Sequence, residues 1–118
     1  MTITATDNWT IPEGLNEHGS RAAELIRNFC LERHRTSTEQ QVFHDPKTWD
    51  RSEYGKESVL VVLHEGGDHD SCINLDGAYE NGPRGDCYRL YEALDALLRK
   101  NGLYLEQCYR WHSAVYCL

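Results

Sequence analysis

Three absences narrow what this chain can be. No stretch approaches the roughly 18 consecutive apolar residues that a membrane helix needs. The opening MTITATDNWTIPEG holds neither a basic cluster nor an apolar core of the kind a secretory leader carries. A cytoplasmic protein with no membrane partner is therefore expected. The five cysteines (Cys30, Cys72, Cys87, Cys108, Cys117) include no C-x-x-C pair, and an odd number cannot pair fully. They read as reduced, buried small hydrophobes in a reducing compartment.

Positive charge is also scarce. Nineteen acids face twelve lysines and arginines, a formal charge of −7. Such a surface repels phosphate backbones and anionic lipid, which disfavours direct nucleic-acid binding. The distribution is uneven. No Lys or Arg lies between Glu57 and Pro83, where Glu57, Glu65, Asp68, Asp70, Asp76 and Glu80 are acidic, while Arg21, Arg27, Arg33 and Arg35 gather in the predicted first helix. One side of the molecule is expected to be acidic.

What is present organises around residues 58–76, SVLVVLHEGGDHDSCINLD. The unbroken apolar run 59–63 reads as a strand covered on both faces. Gly66-Gly67 predicts a hairpin returning through residues 72–75. Residues 1–14 are polar and Thr-rich and read as a flexible arm, with Trp9 and Ile11 as docking points. The remainder, 15–118, reads as one domain, long enough to bury a core of its own.

A first helix is predicted from Ser20, or Asn16, to Arg35, with Ala22, Leu25, Ile26, Phe29 and Cys30 on one face. Residues 40–44 suggest a short strand, and Asp45-Pro46 suggests a single helical turn containing Trp49. The clearest helix follows Asp86: Cys87, Leu90, Tyr91, Leu94, Leu97 and Leu98 recur at i, i+3, i+4, and Gly102 suits the left-handed position after it. Residues 103–111 and 114–118 read as two strands broken at His112-Ser113. The order αβββαββ predicts an α+β two-layer sandwich: a four- to five-stranded mixed or antiparallel sheet with two helices on one face. Its other face would carry Tyr104, Tyr109, Trp111 and Tyr116, open or covered by the arm or a second subunit.

Several groups of residues have chemistry to offer. His64, Asp68, His69, Asp70 and Cys72 are ligand types within nine positions. The carboxylates suit a hard cation, and the imidazoles and thiol suit zinc. The spacing fits neither an EF-hand nor a zinc ribbon, and a solvated turn explains the same residues, so no cofactor is expected and a divalent metal is the alternative. His64 and Glu65 sit at a strand end, yet neighbours on a strand point to opposite faces and cannot share a pocket. Gly66-Gly67 and Gly82-Pro83-Arg84-Gly85 lack the Walker spacing, and acidic surroundings oppose phosphate. Ser113 beside His112 has no G-x-S-x-G elbow and reads as a hairpin turn. No catalytic residue is assigned. The terminal YRWHSAVYCL concentrates the aromatics that packed cores and interface hot spots share. Glu65, Asp68 and Asp70 on the acidic side, with Tyr109, Trp111 and Tyr116, are the candidate partner-binding residues.

The segment 54–118 adds a resemblance. YGKESVLVVLHEGGDHDSCINLDG, the helix after Asp86 and the run through Trp111-His112-Ser113-Ala114-Val115-Tyr116 resemble small uncharacterised proteins encoded by actinobacteriophages. The shared features are an H-[DE]-G-G-D turn and a terminal W-[YH]-[ST]-A-[VI]-Y run. The resemblance implies a small cytoplasmic protein of an infected bacterium, one that meets a host protein, and it transfers no catalytic residue. The expected function is thus non-enzymatic binding and modulation of a host protein. The alternatives are a metal-binding protein or metal-dependent enzyme centred on residues 64–72, and an acidic mimic of nucleic acid. Homodimerisation through the aromatic strands is a further expectation.

Overall fold

A computed structural model describes residues 7–65, 69, 73, 86–109 and 111–118 of the chain. Its main elements are α1 (Glu17–Glu32), β1 (Phe43–His44), β2 (Leu60–Leu63), α2 (Asp86–Lys100), β3 (Leu103–Gln107) and β4 (His112–Cys117). The strands form one antiparallel sheet in the order β1-β2-β4-β3. Both helices pack on one of its faces, so the fold is the expected α+β sandwich of two layers.

The apolar run behaves as its composition demands. Leu60, Val61, Val62 and Leu63 are all buried. Leu60 and Val62 join α1, α2 and Val115 in the main core, whereas Val61 and Leu63 face the other way and pack with Trp49 and Trp111. A strand with only one covered face would alternate apolar with polar residues. Here the second cover is the connection 45–59. Gly55 takes φ +94° there, and a Cβ on it would press on Val61 Cγ2 at 3.3 Å and Ala114 Cβ at 3.5 Å. Only glycine satisfies both the dihedral and the space.

Both edges of β2 are taken, by β1 and β4. Of the expected return strand at 72–75, Ile73 is helical and fully buried rather than extended, and residues 72, 74 and 75 lie outside the described residues. The turn residues Gly66 and Gly67 lie outside the described residues. The C-terminal hairpin also turns elsewhere than expected. His112 and Ser113 do not break the strand; they begin β4, paired with Leu63 and Val62, and the hairpin connection is 108–111.

The cap of α1 is Asn16. Its Oδ1 accepts from Gly19 N at 2.8 Å, and Ser20, the other cap-type residue, lies a turn inside. The helix ends earlier than Arg35. His34 takes φ +58°, while Arg35 N and His34 N donate to Cys30 O and Leu31 O, the paired bonds of a Schellman motif. Ahead of α1, the short 3-10 turn Asp7–Trp9 is stitched to the sheet side of the molecule. Asn8 O accepts from Val42 N at 2.8 Å, and Trp9 is completely buried between Phe43 and His69 with its indole N–H on Thr36 O.

Candidate functional site

The face of the sheet away from the helices builds a cluster of rings. β4 aims His112 at that face, and the residue before it, Trp111, packs on it with ring centroids 4.2 Å apart. Tyr109, on the connection, lies 5.5 Å from His112 and nearly parallel to Trp111 at 5.9 Å. The connection 45–59 supplies the rest: Trp49 sits 5.3 Å from His112 and 6.0 Å from Trp111, and Tyr54 meets Tyr109 edge-on at 5.2 Å. The Arg51 guanidinium lies over Trp111 at 5.0 Å and Trp49 at 5.9 Å, in cation–π position.

The cluster is graded from inside to outside. Trp49 is 5% exposed and His112 0%, whereas Tyr109 is 45% and Tyr54 55% exposed. Tyr54, Tyr109 and Leu118 are the large apolar side chains most open to solvent among the described residues. Two of the three therefore touch each other beside an arginine.

His112 is the hub. Its Nε2–H donates to the Tyr54 carbonyl at 3.4 Å, which leaves Nδ1 as a bare lone pair with no hydrogen-bond partner among the described residues. Burial pushes the imidazole below its ordinary value of 6.5, against the Tyr54 bond, with His64 and Arg51 adding repulsion. His44 is lowered for the same leading reason, opposed by its bond to Gln41 O and helped by Arg51. The indole faces would welcome an imidazolium, but Arg51 already occupies them.

The unfolded chain therefore binds protons that the folded one refuses. The contribution of these two histidines is level above about pH 6.5, and stability falls as pH drops through that value, where unfolded histidines charge. Melting temperatures at pH 7.5, 6.5 and 5.5 are expected to fall in that order, and His112→Gln to flatten the trend. A melt independent of pH over that range would contradict this picture of His112.

The candidate residues of the acidic turn go elsewhere. His64 is buried on the helix side, its Nε2 3.2 Å from Ser113 Oγ. His69 is buried too and donates from Nε2 to Leu63 O at 2.7 Å. Glu65, by contrast, is exposed, and His64 and Glu65 both lie just beyond the end of β2. Asp68, Asp70 and Cys72 lie outside the described residues. Among the described residues no three His, Cys, Asp or Glu side chains converge as a metal would require. The His64–Ser113 contact has the residue types of a nucleophile and its base, but both side chains are sealed from solvent, so no substrate carbonyl reaches the hydroxyl.

The cysteines divide. Cys30 is the buried hydrophobe expected, but Cys108 is half-buried and Cys117 exposed, which corrects the uniform reading. Burial, then the Glu106 carboxylate, pushes the Cys108 thiol up to about 11, so it stays protonated and unreactive at neutral pH. Tyr116 stands apart from the cluster, stacked on Tyr104 at 5.5 Å, its hydroxyl pushed up to about 12 chiefly by burial.

Of the aromatic candidates, the structure thus unites Tyr109 and Trp111 and leaves Tyr116 to a second stack. Sequence reasoning missed Trp49, Arg51 and Tyr54 as members. The available signal was indirect: a sheet face without a helical cover needs one, and the connection 45–59 carried spare aromatics. No helix among the described residues is long and apolar enough to cross a membrane. The chain matches no family model, no curated protein and no solved structure.

Proposed function

We propose that this chain is a non-enzymatic binding protein whose contact surface is the patch of Arg51, Tyr54, Tyr109 and Trp111. The observation that carries the reading is the exposed Tyr54–Tyr109 pair abutting Arg51 on Trp111. Trp, Tyr and Arg are the residues that dominate interface energetics, because rigid rings bury much area at little entropic cost. Trp49 and His112 beneath hold the rings in place, so the patch is organised before a partner arrives. The resemblance to actinobacteriophage proteins supplies the class of partner, a bacterial host protein whose activity is modulated by being bound.

The test is affinity capture from actinobacterial lysate with the wild-type chain and with Tyr54→Ser/Tyr109→Ser. Losing two hot-spot rings costs about 2 kcal/mol or more, roughly thirtyfold in affinity. The specific partner should be retained by the first and lost by the second, with the two melting alike. Equal capture by both proteins would reject the patch. An acidic contact through Glu65 would reveal itself differently, by capture that collapses as salt rises, whereas a ring-centred contact persists.

A further inference from the structure

On the far side of the molecule, α1 and α2 do not close on each other. Between them lies a groove of about 550 Å³, within the range of small-molecule sites. Its apolar lining comes from Leu25 and Phe29 on α1 and from Ala96 and Leu97 on α2. Ala96 keeps the α2 wall low, and a larger residue there would fill the space.

The rim is polar and biased in charge. It carries Asn28, Glu32, Arg33 and Lys100. Glu32 is matched by Arg33, 3.7 Å away, and Lys100 is exposed and pairs with no carboxylate among the described residues. The groove therefore holds one positive charge in excess on a protein of net charge −7. Both helices end at this rim, and bare terminal carbonyls would repel an anion. Here they are engaged: Phe29 O by the Arg33 side chain, Cys30 O and Leu31 O by following amides, Leu97 O by Asn101 Nδ2, and Leu98 O and Arg99 O by the amides of Asn101 and Gly102.

We propose that this groove binds a small anionic amphiphile, an aryl or alkyl carboxylate, with its apolar body between the helices and its carboxylate on Lys100. Arg33 is held down on the Phe29 ring at 3.6 Å, which leaves the lysine as the movable cation that meets the head group.

The experiment is an amide-resolved NMR titration of the full chain with three probes that share one ring system: 1-naphthylacetate, its uncharged amide and 1-naphthylmethylammonium. Saturable shifts are expected at Ala96, Leu97 and Lys100, with the carboxylate binding about tenfold more tightly than the amide and the ammonium weakest. Ala96→Phe should abolish binding of all three. Lys100→Gln should leave the amide unchanged and erase the carboxylate's advantage. Both positions are exposed, so a dispersed spectrum shows that each variant folds. Equal affinity for the three probes, an advantage that survives Lys100→Gln, or no saturable shift in the groove overturns the proposal. A groove that binds the ring without regard to charge is one suited to an apolar partner helix instead.

Discussion

Replacing Trp9 by alanine is expected to lower the unfolding free energy by about 3–5 kcal/mol, the usual cost of deleting a fully buried Trp or Phe. A domain of this size holds only about 5–15 kcal/mol in total. The substitution should therefore shift the urea midpoint drastically with little change in slope. The residue is 0% exposed, wedged edge-on against Phe43 at 5.8 Å and His69 at 5.3 Å, and its N–H donates to Thr36 O at 2.9 Å. Its two ring neighbours are both held in place, Phe43 by the pairing of β1 with β2 and His69 by its bond to Leu63 O. Trp9→Phe separates the two contributions: it keeps much of the packing and forfeits one hydrogen bond, worth about 1 kcal/mol. A loosely held arm would leave the unfolding free energy of both variants within about 0.5 kcal/mol of wild type, as surface substitutions do.

How far such features could be read from the chain depended on whether their causes were local. The run 59–63 was legible because five apolar residues in succession need cover on two sides, whatever supplies it. The stripe on α2 was legible for a similar reason, since Leu94 and Leu98 recur at the helical period and both are fully buried. Gly102, at φ +78°, fell where a helix needs a left-handed residue. The misplaced break at His112-Ser113 shows the limit. Two polar residues at a strand junction look like a turn, and what allows them inside is distant: Tyr54 O for His112, 58 positions away, and His64 for Ser113, 49 positions away. The cap of α1 was ambiguous because Asn16 and Ser20 are both good caps, and only the Gly19 amide decides between them. The candidate site divides the same way. Tyr109 and Trp111 stand near the start of a strand and declared themselves; Trp49, Arg51 and Tyr54 come from a connection with no period at all, and reach the rings only because Gly55 lets that connection lie flat on Val61 and Ala114.

Gly19→Ala is the sharpest trial of how the two layers meet, because propensity and packing give it opposite signs. Position 19 is inside the first turn of α1, and in a helix interior alanine is better than glycine by about 1 kcal/mol. From propensity alone the variant should be the more stable. The structure sets a larger cost against that gain. A Cβ at this position overlaps the Val59 carbonyl oxygen and stands 3.3 Å from Leu15 Cβ. The obstacle is backbone rather than a yielding side chain, and it is pinned, since Val59 N donates to Val115 O at 2.8 Å in continuation of the sheet. Relief requires the start of α1 to lift from β2, which loosens Ala22, Ala23 and Ile26 in the core. Overpacking of this kind costs about 1–3 kcal/mol, occasionally more, so the net change should be a loss. Equilibrium unfolding in urea reads the sign directly, and deuterium exchange should place the weakened amides in the first turns of α1 and at Val59. A Gly19→Ala chain more stable than wild type would mean that α1 does not approach β2 this closely. The seating of the helix layer on the central strand would then have to be redrawn, and with it the cover that lets residues 60–63 be apolar on both faces.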